Sequence, residues 1–410
     1  MSMLKKRCFL FCLIVLVIGN IWFLNLKNDN SNLIGTYIDG EYTSNIPSKD
    51  AGYVVEKIVC DNEAVGEWNY DDWGLLVKNM TKKSKCNVYF RKGIKLADTI
   101  TLVDTTGKCP TVNDDGSVNV TSVESENSLL CMAPDNYGTS YYFRGNVQNN
   151  YVYFANLYWR IIRINGDGSI RMIYDGTTAH ENGEASDDRI IGKSIFNNLS
   201  DDNAYVGYMY GTAGSSTYEE THANINDSTI KKYIDNWYEK NIKGIADEKY
   251  IEDNIFCNER SIAGDSSGNG IARKETVYIY GSIYEKSTLK CKNKNDAFTV
   301  NAFGNGNGNL TYPLALLSST EFLLSGGAYS EANTTFYLNS GNWYWTMSPV
   351  GYFENMYAGA GTYIRDVYSD GHGYSGLTNN GNGGVKPVIN LKPNSLKLGD
   401  GTISNAYRVS

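Results

Sequence analysis

Proline is scarce in this chain, with 7 residues in 410. Histidine is scarcer, at 3, and charged residues make up only 20%. Each shortage excludes something. A chain poor in both proline and charge lacks the composition of a disordered polymer. His180, His222 and His372 have no histidine four positions away and no CxxC neighbour, so zinc-type ligand sets and most histidine triads lack members. No Gly-rich loop leads into Lys-Ser or Lys-Thr, which removes the common phosphate cradle. No self-similar period marks a solenoid or propeller. Net positive charge is also missing: the chain carries −8, and residues 1–27 hold four cations and no acid. The remaining body is therefore more acidic still. Such a body does not track a phosphate backbone, so no nucleic-acid partner is expected.

Glycine (41), asparagine (46) and tyrosine (32) are abundant. That is the profile of a turn-rich, aromatic-rich exported protein. Residues 8–26 form an uncharged stretch rich in Leu, Ile, Val and Phe. As a helix it would span about 28 Å, close to a bilayer's hydrocarbon core. Lys5, Lys6 and Arg7 precede it, and only Lys27 follows. The positive-inside rule then predicts a single-pass anchor in the cell membrane, with the C-terminal body extracellular. A cleaved signal peptide is the alternative, although Ile21-Trp22-Phe23-Leu24 are bulky where small residues are wanted. Both readings export the body.

Cys8 and Cys12 fall in the apolar stretch, leaving Cys60, Cys86, Cys109, Cys131, Cys257 and Cys291 on the exported side. An even count there argues for disulfides. Sequence alone does not choose the pairing, and neighbour closure (Cys60–Cys86, Cys109–Cys131, Cys257–Cys291) is the simplest set.

The expected organisation is a cytoplasmic basic segment (1–7), the anchor (8–26), a polar stalk (27–50), a small β module (51–93), a connector (94–140) and a larger domain (141–410). The larger domain is expected to be α+β. Runs of strand-like residues flank Asn165-Gly166-Asp167-Gly168-Ser169, a hairpin signal. Ile230, Tyr233, Ile234, Trp237 and Asn241 are spaced as one helix face, with Asp227 or Ser228 as cap. Ser318-Ser319-Thr320-Glu321 fits a capping box, stopped by Gly326-Gly327.

Motifs for chemistry are weak. Gly264-Asp265-Ser266-Ser267-Gly268 matches G-x-S-x-G, but no helix-forming run follows it, so a loop is expected. Neither Asn165-Gly166-Asp167-Gly168 nor Gly399-Asp400-Gly401 has the alternating oxygen ligands of a calcium loop. No catalytic residue, metal or cofactor is implied.

The informative stretch is 342–391. Both its ends are apolar. Between them, residues 352–382 are rich in Tyr, Asn, Ser, Asp and Gly, the residue types of adaptable binding faces. The candidate ligand-binding residues are Trp343, Tyr352, Asn355, Tyr357, Tyr363, Arg365, Asp366, Tyr368, Asp370, His372 and Tyr374. Tyr352, Tyr357, Tyr363, Tyr368 and Tyr374 are read as exposed rings able to stack on sugars or pack on protein.

Three segments carry a resemblance: Tyr158-Trp159-Arg160-Ile161-Ile162-Arg163-Ile164, Tyr344-Trp345-Thr346-Met347-Ser348-Pro349, and Gly384-Val385-Lys386-Pro387-Val388-Ile389-Asn390-Leu391. They resemble a family of exported bacterial proteins whose C-terminal domain looks like the formylglycine-generating-enzyme-like branch of the C-type lectin fold. The resemblance spans roughly 141–410 and implies a C-type-lectin-like α+β scaffold with variable surface loops. The oxidase members use a cysteine pair late in that domain. This chain has no cysteine after Cys291, so their copper-dependent oxidation is not implied. Some related lectin-fold proteins are targets of diversity-generating retroelements, which implies a hypervariable ligand face within 352–382.

The function these readings predict is a membrane-anchored, surface-displayed binding protein and not an enzyme. Its partner would be an extracellular glycan, protein, cell or phage surface. A cell-envelope enzyme and a structural envelope protein are the alternatives.

Overall fold

The computed structural model describes residues 22–23, 34–51, 53–69, 72–79, 84–92, 108–279, 287–329, 331–356, 359–381 and 383–409. Strand makes up 36% and helix 12%, spread over several sheets. This corrects the expected α+β, C-type-lectin-like class: the fold is mostly β. The physical reason is the shortage of 3.6-period apolar runs. One 13-residue helix has such a run, and the others described are four and six residues long.

The anchor expected over 8–26 lies outside the described residues except at Trp22–Phe23. Those two residues form a short strand (β1) paired with Leu76 and Val77. At Trp22–Phe23 the structure has strand where the anchor helix was expected, and among the described residues no helix is long and apolar enough to cross a membrane.

Two compact units divide the chain at residues 94 and 95. In the first, β2 (Ile34–Ile38), β3 (Glu41–Thr43), β4 (Tyr53–Cys60) and β7 (Cys86–Lys92) form one sheet, ordered β3-β2-β7-β4. Residues 27–50, expected as a stalk, thus supply two strands, and β2 runs parallel to β7. Between β4 and β7, β5 (Val65–Asn69) and β6 (Gly74–Lys78) form a hairpin. Trp68, Leu75, Val77, Val88 and Phe90 build a small core. Cys60 and Cys86 face each other in the β4–β7 register and are bridged. A core this thin needs such a tie.

The second unit begins its main sheet with β8 (Ser128–Pro134), inside the expected connector. Then follow β9 (Thr139–Gly145), β10 (Tyr151–Phe154), β11 (Leu157–Ile164) and β12 (Ile170–Gly176). The β11–β12 turn is the hairpin anticipated at Asn165, closed by Asn165 N–H to Ser169 O at 2.8 Å. Asp167 accepts from the Ser169 backbone and hydroxyl, a turn closure. Helices α1 (Tyr218–Thr221) and α2 (Thr229–Asn241) come next. Ser228 caps α2, Ile230, Ile234 and Tyr238 are buried, and Trp237 packs edge-on against Tyr174. After β13 (Thr276–Val277) and β14 (Leu314–Ala315), α3 (Ser319–Leu324) carries the full capping box of Ser318 and Glu321. The chain ends with β15 (Tyr344–Phe353), β16 (Gly361–Val367), β17 (Gly373–Leu377), β18 (Val388–Leu391), β19 (Leu396–Leu398) and β20 (Tyr407–Val409).

Among the described residues the main sheet has nine strands, with the path β14-β18-β12-β11-β10-β20-β19, and β9 pairing both β11 and β8. A second sheet runs β13-β15-β16-β17. The disulfides are Cys60–Cys86, Cys109–Cys131 and Cys257–Cys291.

The segments that carry the resemblance are interior. Arg160, from β11, and Lys386, just before β18, converge with Arg189 on the fully buried Asp175 of β12. Burial raises the Asp175 carboxyl, but Arg189, Lys386 and Arg160 outweigh it and hold it below the usual range. Three cations against one carboxylate leave excess positive charge in a dry core. Burial therefore pushes the Lys386 ammonium down to about 7, against the attraction of Asp175. A second buried set joins Arg163 and Arg171 to Glu321, with Asp135 on Arg163.

Candidate functional site

The candidate site lies on the β13-β15-β16-β17 sheet. The chain entering β15 is tied twice to Gly384: the Trp343 carbonyl accepts from Gly384 N–H at 2.9 Å, and Trp345 N–H donates to Gly384 O at 3.1 Å. The Trp345 indole N–H reaches Ser194 O at 2.9 Å, anchoring the strand in the core. A side chain at Gly383 would collide with that indole, its Cβ falling 2.0 Å from Nε1. Glycine is required there by close approach.

The β16–β17 turn is tight. Gly371 N–H donates to Tyr368 O, and Tyr368 N–H donates to His372 O, both at 2.9 Å. Gly371 has φ +81°, and an added Cβ would lie 1.9 Å from Asn333 O. This turn brings four rings together. Tyr368 lies 6.2 Å from Trp343, 5.0 Å from His372 and 5.2 Å from Tyr374, between ring centroids. His372 stacks on Tyr368 at 28°, and Tyr374 meets it edge-on at 71°. Tyr368 and Tyr374 keep 38% and 37% of their surface exposed, while Trp343 and His372 are half-buried. The His372 Nδ1 sits 2.5 Å from the Asp370 carboxylate. Burial raises the Asp370 carboxyl, but the His372 backbone and side chain together outweigh it and hold it below its ordinary value.

Beneath the rings lies Asp366. It is 1% exposed, and neither carboxylate oxygen has a hydrogen-bond partner. The Trp343 indole N–H is beside it and moderates its charge, but the contact falls short of hydrogen-bond geometry and that N–H is itself unpaired. Burial pushes the carboxyl up to about 7, with the Trp343 N–H and Arg365 acting in the opposite direction. Gly376 gives it room: a Cβ there would lie 2.8 Å from the Asp366 Oδ2.

The candidate residues divide into one assembled group of six and five others. Trp343, Asp366, Tyr368, Asp370, His372 and Tyr374 are brought together. Tyr352 and Tyr363, expected as exposed rings, are buried at 6% and 0%, which corrects that reading. Tyr352 pairs with Thr276 across the sheet, and the Tyr363 hydroxyl donates to Gly359 O at 2.7 Å. Cross-strand register places them on opposite faces, Tyr352 opposite Thr362 and Tyr363 opposite Gly351, and both faces are covered at that end of the sheet. Asn355 is exposed in the β15–β16 loop, apart from the cluster in sequence and register. Arg365 follows the alternation opposite to Asp366 and stacks over Tyr329 at 3.9 Å. Tyr357 lies outside the described residues. Gly376 was not anticipated; the signal available was its place two residues after Tyr374 on the same strand face.

Other clusters are internally satisfied. His180 is buried between Glu184 and Asp188 at 3.1 and 2.7 Å. Ser266 accepts from the Gly268 and Val277 backbone, a turn role. A recess beside Cys257 is lined by Asp135, Arg163, Arg171 and Glu321, whose charges pair with one another. No group of three or more His, Cys, Asp or Glu among the described residues is arranged to hold a metal ion.

Comparison with protein-family models, with curated proteins and with solved structures finds no match.

Proposed function

We propose that this protein is an exported binding protein whose recognition patch is formed by Trp343, Tyr368, His372 and Tyr374. The observation that carries the reading is the placement of these rings. Trp159, Trp345, Tyr208, Tyr278 and Tyr337 are fully buried, whereas these four share one accessible rim of a sheet. Aromatic rims bury large area at low side-chain entropy cost and tolerate varied ligands. Three disulfides support a position outside the reducing cytoplasm. The ligand is an extracellular component, free or displayed on a surface, and the patch performs no chemical step.

The test uses the full chain against glycan arrays and whole cells. Trp343 lies in the patch, so its fluorescence reports occupancy. Substituting both Tyr368 and Tyr374 by Ala should remove binding while leaving the unfolding midpoint within a few degrees. Retained binding in that double variant would move the site elsewhere.

A further inference from the structure

The rings and the carboxylate belong to one arrangement. Between Trp343 and Gly383 the sequence has a single Arg or Lys, Arg365. It is engaged over Tyr329, on the strand face opposite Asp366. Asp366 therefore sits beside electron-rich rings with both oxygens lacking a hydrogen-bond partner, and the cation that acts on its charge is Arg365, from the other face. Asp370 adds a second carboxylate at the rim, already tied to His372.

Such a surface discriminates by charge. Ring faces attract cations through their quadrupoles, Trp most strongly. A carboxylate in low dielectric acts over a longer range than one in water. A neutral sugar would gain stacking, but at 1% exposure Asp366 offers its hydroxyls no direct contact. An anion would be repelled. A hydrated ammonium is held by water, whereas an alkylated one is desolvated at low cost and fits an aromatic surface.

We infer that the Trp343–Tyr368–Tyr374 patch binds an alkylated ammonium group, with Asp366 as its buried counter-charge. The inference rests on the proposed binding role of this patch and names the chemistry it selects. The group is carried either on a free small molecule or on a phosphocholine headgroup.

The experiment titrates the full chain at pH 8, where the Asp366 carboxyl is ionised, with choline and with its neutral isostere 3,3-dimethyl-1-butanol, following tryptophan fluorescence and calorimetry. Choline should bind at least tenfold more tightly. Asp366→Asn keeps the shape and removes the charge. It should weaken choline about tenfold and leave the isostere unchanged, with an unaltered circular dichroism spectrum. Tyr368→Ala should weaken both. Phosphatidylcholine vesicles separate the sources: co-sedimentation assigns the headgroup, and choline binding without it assigns the free molecule. Equal affinity for choline and the isostere, or an indifferent Asp366→Asn variant, overturns the inference. If choline fails while a neutral glycan binds in a Tyr368-dependent way, the cation inference falls and the binding patch stands. If neither binds, and cells are not bound either, both fall.

Discussion

Asp366 lies directly across the sheet from Tyr374 on one side and from Trp345 on the other. One of those neighbours is exposed and the other is fully buried. The carboxylate thus marks the line where the core of this sheet meets its accessible rim, and it does so without a hydrogen bond. A polar group at such a boundary is costly unless it is neutral or matched.

That cost gives stability a pH dependence. The Asp366 carboxyl ordinarily titrates near 3.8, and in the folded protein near 7. Between those values the native state holds a proton that the unfolded chain has released. The stabilisation is fully present below about pH 4 and is lost as pH rises through about 7, with an upper bound of about 4 kcal/mol. Asp366→Asn should abolish this component and be the more stable form at pH 8. Denaturant unfolding of both proteins at pH 5 and pH 8 checks it. Equal pH slopes would refute the assignment.

Tyr363 and Tyr368 separate folding from recognition. Tyr363 is buried against Phe353, so Tyr363→Ala should cost about 3 kcal/mol or more. Tyr368→Ala should cost under about 1 kcal/mol, as surface changes do, and instead lose ligand. Thermal unfolding beside a binding assay gives both numbers.

The buried cluster around Asp175 should respond asymmetrically. Asp175→Asn strands Arg160, Arg189 and Lys386 without their counter-ion and should cost about 3–5 kcal/mol. Lys386→Met removes one surplus cation and fills similar volume, so it should be neutral or mildly stabilising at pH 7. Urea midpoints of the two variants decide between this and a symmetric ion-pair core, in which both would be equally damaging.

Natural variation in codons 352–382 offers a test of diversification. If the face is diversified, substitutions should concentrate at the exposed positions Glu354, Asn355, Tyr368, Ser369, Tyr374, Asn379 and Asn380. They should spare the buried Tyr363, Ile364 and Val367. Population sequencing of the gene, with a search for a near-copy of the segment, provides the result. Uniform codons would remove the idea.

Local features were readable from sequence because local physics sets them. Ser228 before Ile230, Ile234 and Trp237 specifies a capped helix face, and Ser318 with Glu321 specifies the next start. The Asp167 turn is closed by its own neighbours. The neighbour pairing of cysteines in the structure is the one short loops favour. The overall class was not readable, because apolar strands and short helices look alike until partners are known. Ile34–Ile38 looks like part of a stalk until it meets Cys86–Lys92, 48 positions or more along the chain.

The same division applies to the site. By composition alone the sequence determined that residues 343–374 concentrate Trp, Tyr, Asp and His. It did not determine which rings face water, since the five candidate tyrosines are equivalent as letters. Tertiary structure decided that by covering both faces of the sheet at Tyr352 and Tyr363, and through the Gly371 turn, which stacked His372 on Tyr368 and set Tyr374 edge-on to it. It also decided the state of Asp366. A carboxylate's charge depends on the dielectric and partners around it, and those come from Trp343, Trp345 and Gly376, which only folding brings to its side.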